Sequence, residues 1–437
     1  MKSYKNYLKS GIAASLLCMG IIISCNKAPD EIGMIVPPTQ SSLSAIGDTL
    51  KLSVDDSLFY KVIVRGGMLN VLKDKSKSYT LFSPNNAAVR QFVSGASGGL
   101  IPPSGAPEAT YVGFINGSLP VASAASIVQY HMLPQAVSAS AIPTTFPNLA
   151  YPTFLNPSPS ASPLLRLDGY VSRRANGAWL NNIPVIAADR MAGNGVIHSI
   201  AAVSVPPSTL LWDRINADAD LTYLKAAIQR ADSGAAPGTS LQYVLGTQAI
   251  APGLNLTVFA PNNAAFRAAL YAQAYPIVYG QLYQGAYALA IAGGALPADA
   301  AIAAANYANA NAPTQTTALT SDPVAFFNNP ALYPYLPAVA VKGILVYHVL
   351  FGQRAFSPNI PTTATAVPTL LNSVVPTHPG ITLSATFTGP VVTAATVKGI
   401  ANATASNVLI NPLPNGSSDQ HYVNGVLHKI DQVLLPQ

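Results

Sequence analysis

Three short segments of this 437-residue chain occur twice in the same order, and that duplication constrains the fold more than any single residue does. Thr80-Leu81-Phe82-Ser83-Pro84-Asn85-Asn86-Ala87-Ala88 is matched by Thr257-Val258-Phe259-Ala260-Pro261-Asn262-Asn263-Ala264-Ala265. Tyr130-His131 returns as Tyr347-His348. Asn194-Gly195-Val196-Ile197-His198-Ser199-Ile200 returns as Asn424-Gly425-Val426-Leu427-His428-Lys429-Ile430. The offsets are 177, 217 and 230 residues, so the second copy carries 40 extra residues before its Tyr-His and 13 more after it. Collinear copies of this kind mean one structural plan folded twice.

In this order the three boxes resemble the fasciclin domain, whose marks are a Thr-hydrophobic-Phe-Ala-Pro opening, a central Tyr-His and a closing Asn-Gly-x-(Ile/Leu)-His-x-Ile. The matches span nearly the whole chain after residue 45. The resemblance implies an α+β fold of two tandem fasciclin-like domains, each a bent β-sheet wedge with helices packed around it. It also implies an extracytoplasmic adhesion or interaction module with no known catalytic site. In that family the Tyr-His dipeptide is linked with receptor-facing surfaces, which makes Tyr130, His131, Tyr347 and His348 candidate contact residues by resemblance. In a strand one of two adjacent side chains faces inward, so the competing reading is one core aromatic beside one hydrogen-bonded His.

The N-terminus reads independently of the repeats. Lys2, Lys5 and Lys9 precede an apolar run from Gly11 to Ile23, followed by Ser24 and Cys25, the layout of a secretory signal. A Cys directly after Ser24 resembles the bacterial lipobox, with Ile22 where Leu is more usual. Removal of residues 1–24 and acylation of Cys25 are therefore expected; the alternative is ordinary cleavage that leaves Cys25 a free thiol. Cys18 is the other cysteine and leaves with the signal, so no disulfide is expected. Residues 25–45, with Pro37-Pro38 and Thr39-Gln40-Ser41-Ser42, read as a flexible tether. Stable anchoring takes more than one acyl chain, which lipoprotein processing supplies. Asp30-Glu31 resembles the acidic signals that send some Gram-negative lipoproteins to the outer face. The expected location is the bacterial cell envelope, in the outer membrane, on the cell surface or the periplasmic face. Loss of three Lys lowers the formal charge from +6 to +3, and Arg173-Arg174 is the densest basic pair, so nucleic acid is not an expected partner.

Domain 1 is expected at 46–207 and domain 2 at 208–437, the latter with an Ala/Tyr-rich insertion around 268–340. Charged residues are 9% of the chain and hydrophobic ones 50%, but the most lipid-like stretch, Ala286 to Ala298, is too short to span a bilayer and is interrupted by Gly293-Gly294 and Pro297. The opening boxes predict a strand turning into a helix, with Pro-Asn-Asn offering an N-cap. Asp218 to Ala231 places Leu221, Leu224 and Ile228 at helical spacing, and Asp55 to Val64 is its looser counterpart. The Asn-Gly pairs predict hairpins feeding strands that end at Pro206-Pro207 and Pro436.

Four of the six His sit in the boxes. On a strand His198 sides with Val196 and Ile200, and His428 with Val426 and Ile430. Without Cys or clustered carboxylates as co-ligands, these imidazoles read as buried and satisfied by backbone or Tyr; no metal and no cofactor is expected. Gly95-Ala96-Ser97-Gly98-Gly99 has the nucleophile-elbow pattern, which needs a strand before it and a helix after it. Ile101-Pro102-Pro103 follows instead, so the segment reads as a loop of small residues without catalysis.

Within the insertion Tyr271, Tyr275, Tyr279, Tyr283 and Tyr287 recur at every fourth residue, and from Ala268 to Val341 only Asp299 and Asp322 carry charge. On a helix such a row drifts about 40° per step. Pro276, Gly280 and Gly285 predict that any helix is kinked or begins near Pro276. The row reads either as a satellite core or as an exposed platform stacking on sugar rings or a protein, with Tyr275, Tyr279 and Tyr283 as contacts. Ala300 to Asn311 reads as low-complexity filler, helical or disordered. Together these readings point to a non-enzymatic adhesion or interaction lipoprotein whose partner is a surface glycan or a matrix protein. The alternative is a ligand-capturing accessory lipoprotein of an outer-membrane nutrient uptake system, with the insertion as its receptor.

Overall fold

In the computed structural model the described residues are 42–236, 238–246 and 255–437. The signal peptide, Cys25 and the tether as far as residue 41 lie outside them. In the first module the opening strand Tyr79–Pro84 is Thr- and aromatic-rich and buried along its length. It runs parallel to the closing strand Gly195–Ile200, with Phe82 opposite His198. Around this pair one sheet is laid out in the order Met132–Leu133, Tyr79–Pro84, Gly195–Ile200, Ile183–Ala192, Gly177–Leu180, Asp168–Arg174, Leu149–Pro152. Register shifts between Val185 and Ala187 and between Ala187 and Arg190 bend it. One face packs under helices that include Ser57–Arg65, Asn86–Ala96, Glu108–Gly117 and Val121–Tyr130, through Phe59, Leu81, Val89, Tyr111 and Ile197. The other face gathers Phe82, Leu133, Val171, Leu180 and Ile200. Because both faces are covered, Ile197 is as buried as His198, and the inside/outside alternation expected for this strand is lost.

The second module repeats the plan. Leu256–Pro261 runs parallel to Gly425–Ile430 in the same register, with Phe259 opposite His428. Its sheet is divided: Gln420–Tyr422, Gly425–Ile430, Leu256–Pro261 and Val349–Phe351 form one part, and Thr365–Val367, Ile381–Thr388, Val391–Lys398 and Ser406–Asn407 the other. A single bridge, Val408 to Ile430, joins them. Ser44–Gln437 is one compact α+β unit holding both modules.

Several local expectations need correction. The closing strands end at Ile200 and Ile430, short of the prolines, which lie in irregular backbone. The hairpin turns are Gly193-Asn194 and Val423-Asn424, and the two glycines are already strand residues paired with Ala192 and Tyr422. Tyr130 and Tyr347 are the last residues of helices Val121–Tyr130 and Ala338–Tyr347, each with its His as C-cap, so the dipeptide is not in a strand and both side chains turn inward. Asn263–Ala292 is one helix running through Pro276, and Pro297–Leu319 is a second helix packed along it, the helical of the two forms expected for Ala300 to Asn311.

Candidate functional site

The threonines and asparagines repeated in the boxes make matching bonds in both modules. Asn85 Oδ1 accepts from Ala88 N at 2.9 Å and Asn262 Oδ1 from Ala265 N at 2.8 Å, the N-caps of the box helices. Asn86 accepts from Leu58 N and donates to Val54 O; Asn263 accepts from Tyr223 N and donates to Ala219 O. Thr80 donates to Gln135 O and accepts from Val137 N, as Thr257 does with Gln353 O and Ala355 N. Asn194 and Asn424 accept from the first amide of the first helix of their modules, Ile46 N at 2.7 Å and Leu211 N at 3.0 Å. Each also donates to a carbonyl of another helix, Leu72 O or Leu245 O. These side chains satisfy buried backbone groups that would otherwise be costly. The boxes specify the fold.

The box histidines follow the same rule. His131 and His348 donate from Nδ1 to Ile127 O (2.7 Å) and Ile344 O (2.8 Å), and their Nε2 atoms accept from Ser204 N (3.0 Å) and Leu434 N (2.8 Å). His198 and His428 use the other tautomer: Nε2–H donates to Val137 O or Ala355 O, and Nδ1 accepts from Asp189 N or Asp419 N. Both aspartates stand nine residues before their His with left-handed backbone, φ 58° and 54°. Each also accepts an amide from the segment after the short strand that follows Tyr-His, Ala139 N or Ser357 N. Asp189 and Asp419 went unnoticed in the sequence because the residues around them do not repeat. Among the described residues no group of three His, Cys, Asp or Glu gathers to hold a metal ion.

Burial fixes the imidazoles as neutral. It pushes His131 and His348 down to about 4, against the backbone bonds to Ile127 and Ile344, which pull the other way. The unfolded chain takes up these protons near pH 6.5, so their contribution to stability is complete above that pH and is lost as pH falls towards 4. Each is expected to cost on the order of 2 kcal/mol by pH 4.5. Denaturant titration at pH 7.5 and 4.5 measures this, and equal midpoints would refute it.

With Tyr130, His131, Tyr347 and His348 all buried, the contact role inferred for them gives way to the internal one. Tyr347 donates to Gly380 O at 2.6 Å and accepts from Ile400 N at 3.0 Å. Tyr130 differs, because it lies at the seam between modules: it donates to Asp168 O, and its hydroxyl is 3.4 Å from His421 Nδ1. The seam is built around Arg354, a buried side chain with no box signature. Its guanidinium donates to Asn255 Oδ1 (3.0 Å), His421 Nε2 (2.6 Å), Tyr422 O (2.9 Å) and Val423 O (2.6 Å), and lies 5.1 Å from the Tyr170 ring. Burial, then the neighbouring Arg354 cation, drives His421 well below its usual range, so its Nε2 stays an acceptor. Around this centre Tyr170 meets Phe356, Trp179 Nε1 donates to Pro390 O (3.2 Å), Arg174 Nε donates to Pro358 O (3.0 Å), and Asn359 bonds Ser172.

The tyrosine row forms a ladder. Successive rings from Tyr271 to Tyr287 are 5.8, 6.1, 6.5 and 6.2 Å apart with planes inclined by 12–35°. All five are half-buried. Tyr275, Tyr279 and Tyr283 have a ring on both sides, so their faces meet each other, and the ladder offers edges and hydroxyls outward. Stacking of sugar rings on open faces, expected from the sequence, is not what this arrangement offers. The alanines of the second helix at the same four-residue spacing, Ala300, Ala304, Ala308 and Ala312, are fully buried, as a satellite core requires.

Ser97, of the elbow-like segment, is the C-cap of Asn86–Ala96; its hydroxyl bonds Ser94 O and Ile101 N, and no strand precedes it. That geometry is a helix end.

No curated protein matches the chain. Among solved structures, a FAS1 domain pair from the insect cell adhesion molecule Fasciclin I aligns at 15% identity and a TM-score of 0.31, over 86% of this chain and 95% of that one. Residues 55–206, most of the first module, match the model of the Fasciclin domain.

Proposed function

We propose that this chain is a non-enzymatic interaction protein of the bacterial cell envelope, anchored through a lipid on Cys25, that binds surface carbohydrate or matrix protein. Fasciclin domains are in general adhesion and interaction modules. The observation that carries the reading is that every polar side chain repeated between the two modules is engaged internally, which leaves recognition to the parts that are not repeated. Foremost among these is the insertion, whose tyrosine hydroxyls make no hydrogen bond to the protein among the described residues. A row of hydroxyls on rings about 6 Å apart suits a hydroxyl-rich polymer lying edge-on along the helix. Replacing Tyr275, Tyr279 and Tyr283 together by Phe keeps the stacked rings and removes only the hydroxyls. Glycan-array binding by the mature chain is expected to fall at least tenfold in that variant. Undiminished glycan binding would remove carbohydrate from the proposal. Protease treatment of intact cells tests the location: full protection of the chain would confine it to the periplasm and end the adhesive reading.

A further inference from the structure

The insertion ends in a feature that glycan binding does not use. Its first helix is seated on the second module by Phe266, Leu270 and Ala274, with Leu319 of the returning helix packed beside them. Val278 is the last residue of that helix to be buried. From residue 279 to Ala292, a length of about 21 Å, none of its residues is buried, and the element this helix touches most is the returning helix. No charged residue occurs from 268 to 298. A helix exposed to water normally carries charge on its outer face. Here the turn at Gly293-Gly294 is instead surrounded by large apolar side chains: Leu289 is 76% exposed, Leu296 69%, Ile302 62% and Ile291 39%. A mainly apolar groove of ≈ 480 Å³, lined by Leu282, Gly285, Ala286, Leu289, Ala303 and Tyr307 among others, runs down from this tip.

We propose that the tip of the hairpin, Leu289 to Ile302, docks into the surface of a lipid bilayer. Among the described residues no single helix is long and apolar enough to cross a membrane, so the tip dips into the bilayer without spanning it. Its apolar side chains crowd the end of the hairpin, which is the geometry of end-on insertion. The free stretch offers a side face of only about 21 by 20 Å, roughly 400 Å², against about 800 Å² per partner in a stable protein interface. Hydrocarbon demands no matching face and excludes charge, and the uncharged run meets that condition. Tyr287 follows just below the tip, at the level where tyrosine favours the boundary between lipid and water. Asp299, in the first turn of the returning helix, limits the depth.

The test uses the mature chain from residue 25 with Cys25→Ser, which carries no acyl group, and vesicles of phosphatidylethanolamine and phosphatidylglycerol. Flotation is expected to bring the chain up with the vesicles. Combining Leu289→Ser, Leu296→Ser and Ile302→Ser is expected to lower the bound fraction at least tenfold with an unchanged melting temperature, since all three side chains are exposed. The Tyr275, Tyr279 and Tyr283→Phe variant is expected to float like its parent, which separates this proposal from glycan recognition. In a Leu296→Trp variant, vesicles are expected to shift the added fluorescence to the blue. The proposal is overturned if the parent chain stays at the bottom of the gradient, or if the triple Ser variant floats undiminished. It is equally overturned if the parent is a dimer that the Ser variant dissolves while neither floats, because the tip then belongs to a second copy.

Discussion

Replacing Arg354 by Met will lower stability by about 3–5 kcal/mol, because four buried acceptors each lose a charged donor, and will split one unfolding transition into two. The volume change is small, so the loss comes from polarity. The variant strands Asn255 Oδ1, His421 Nε2 and the carbonyls of Tyr422 and Val423 without the donors that now satisfy them. Tyr170 of the first module loses the cation near its ring and keeps Phe356, Asn255, Val426 and the His421 ring across the seam. Equilibrium unfolding in urea, followed by far-ultraviolet circular dichroism and by tryptophan fluorescence, reports both halves, because Trp179 lies in the first module and Trp212 in the second. Coincident transitions at the parent's midpoint would show that Arg354 does not couple the modules. An Arg354→Lys variant should recover only part of the loss, because one ammonium cannot reproduce the planar fork that reaches four acceptors.

The seam also marks where the sequence stops being legible. The boxes could be read because their geometry is local or recurs at fixed offsets: Thr80, Asn85 and Asn86 announce strand, cap and helix within a few residues, and the second copy repeats the announcement. The buried, hydrogen-bonded state of His198 and His428 was equally readable, from apolar neighbours on the strand and the scarcity of co-ligands, whereas His131 and His348 read as candidate contacts. Arg354 was not, since its partners Asn255 and His421 lie far from it in sequence and have no counterpart in the first module. Asn194 was read as a turn residue because Asn-Gly is a strong hairpin signal; its role of holding the first amide of a helix 148 residues upstream could come only from the fold. In the insertion, Pro276 outweighed the periodicity in the sequence reading. Yet a proline removes one hydrogen bond, and a helix seated by Phe266, Leu270 and Ala274 at one end and lined by a second helix beyond absorbs that loss.

Gly195→Ala is expected to be the most damaging single-methyl change in the first module, costing upwards of about 4 kcal/mol. The glycine has φ +142°, and a Cβ built on it would lie 1.8 Å from the Tyr79 carbonyl oxygen. That carbonyl cannot swing away: Tyr79 is registered opposite Gly195 in the parallel pair, and its own amide is held by Asn194 O at 3.0 Å. The added carbon must push the opening and closing strands apart, and with them Phe82 and His198, whose rings sit 5.4 Å apart between the strands. Gly425→Ala, at the matching site of the second module, should be milder. Its Cβ would stand 2.6 Å from Leu256 O and 2.6 Å from Leu211 Cδ1, and of these two the leucine end can rotate. Gly280→Ala supplies the opposite sign: nothing lies within 4 Å of the added carbon, and a glycine inside a helix costs roughly 0.5–1 kcal/mol relative to alanine. Soluble yield and thermal melting of the three variants should therefore rank Gly280→Ala above the parent, Gly425→Ala below it and Gly195→Ala last. A Gly195→Ala protein that melted with its parent would mean that the parallel strand pair is not packed as described, and the equivalence of the two modules would lose its geometric basis.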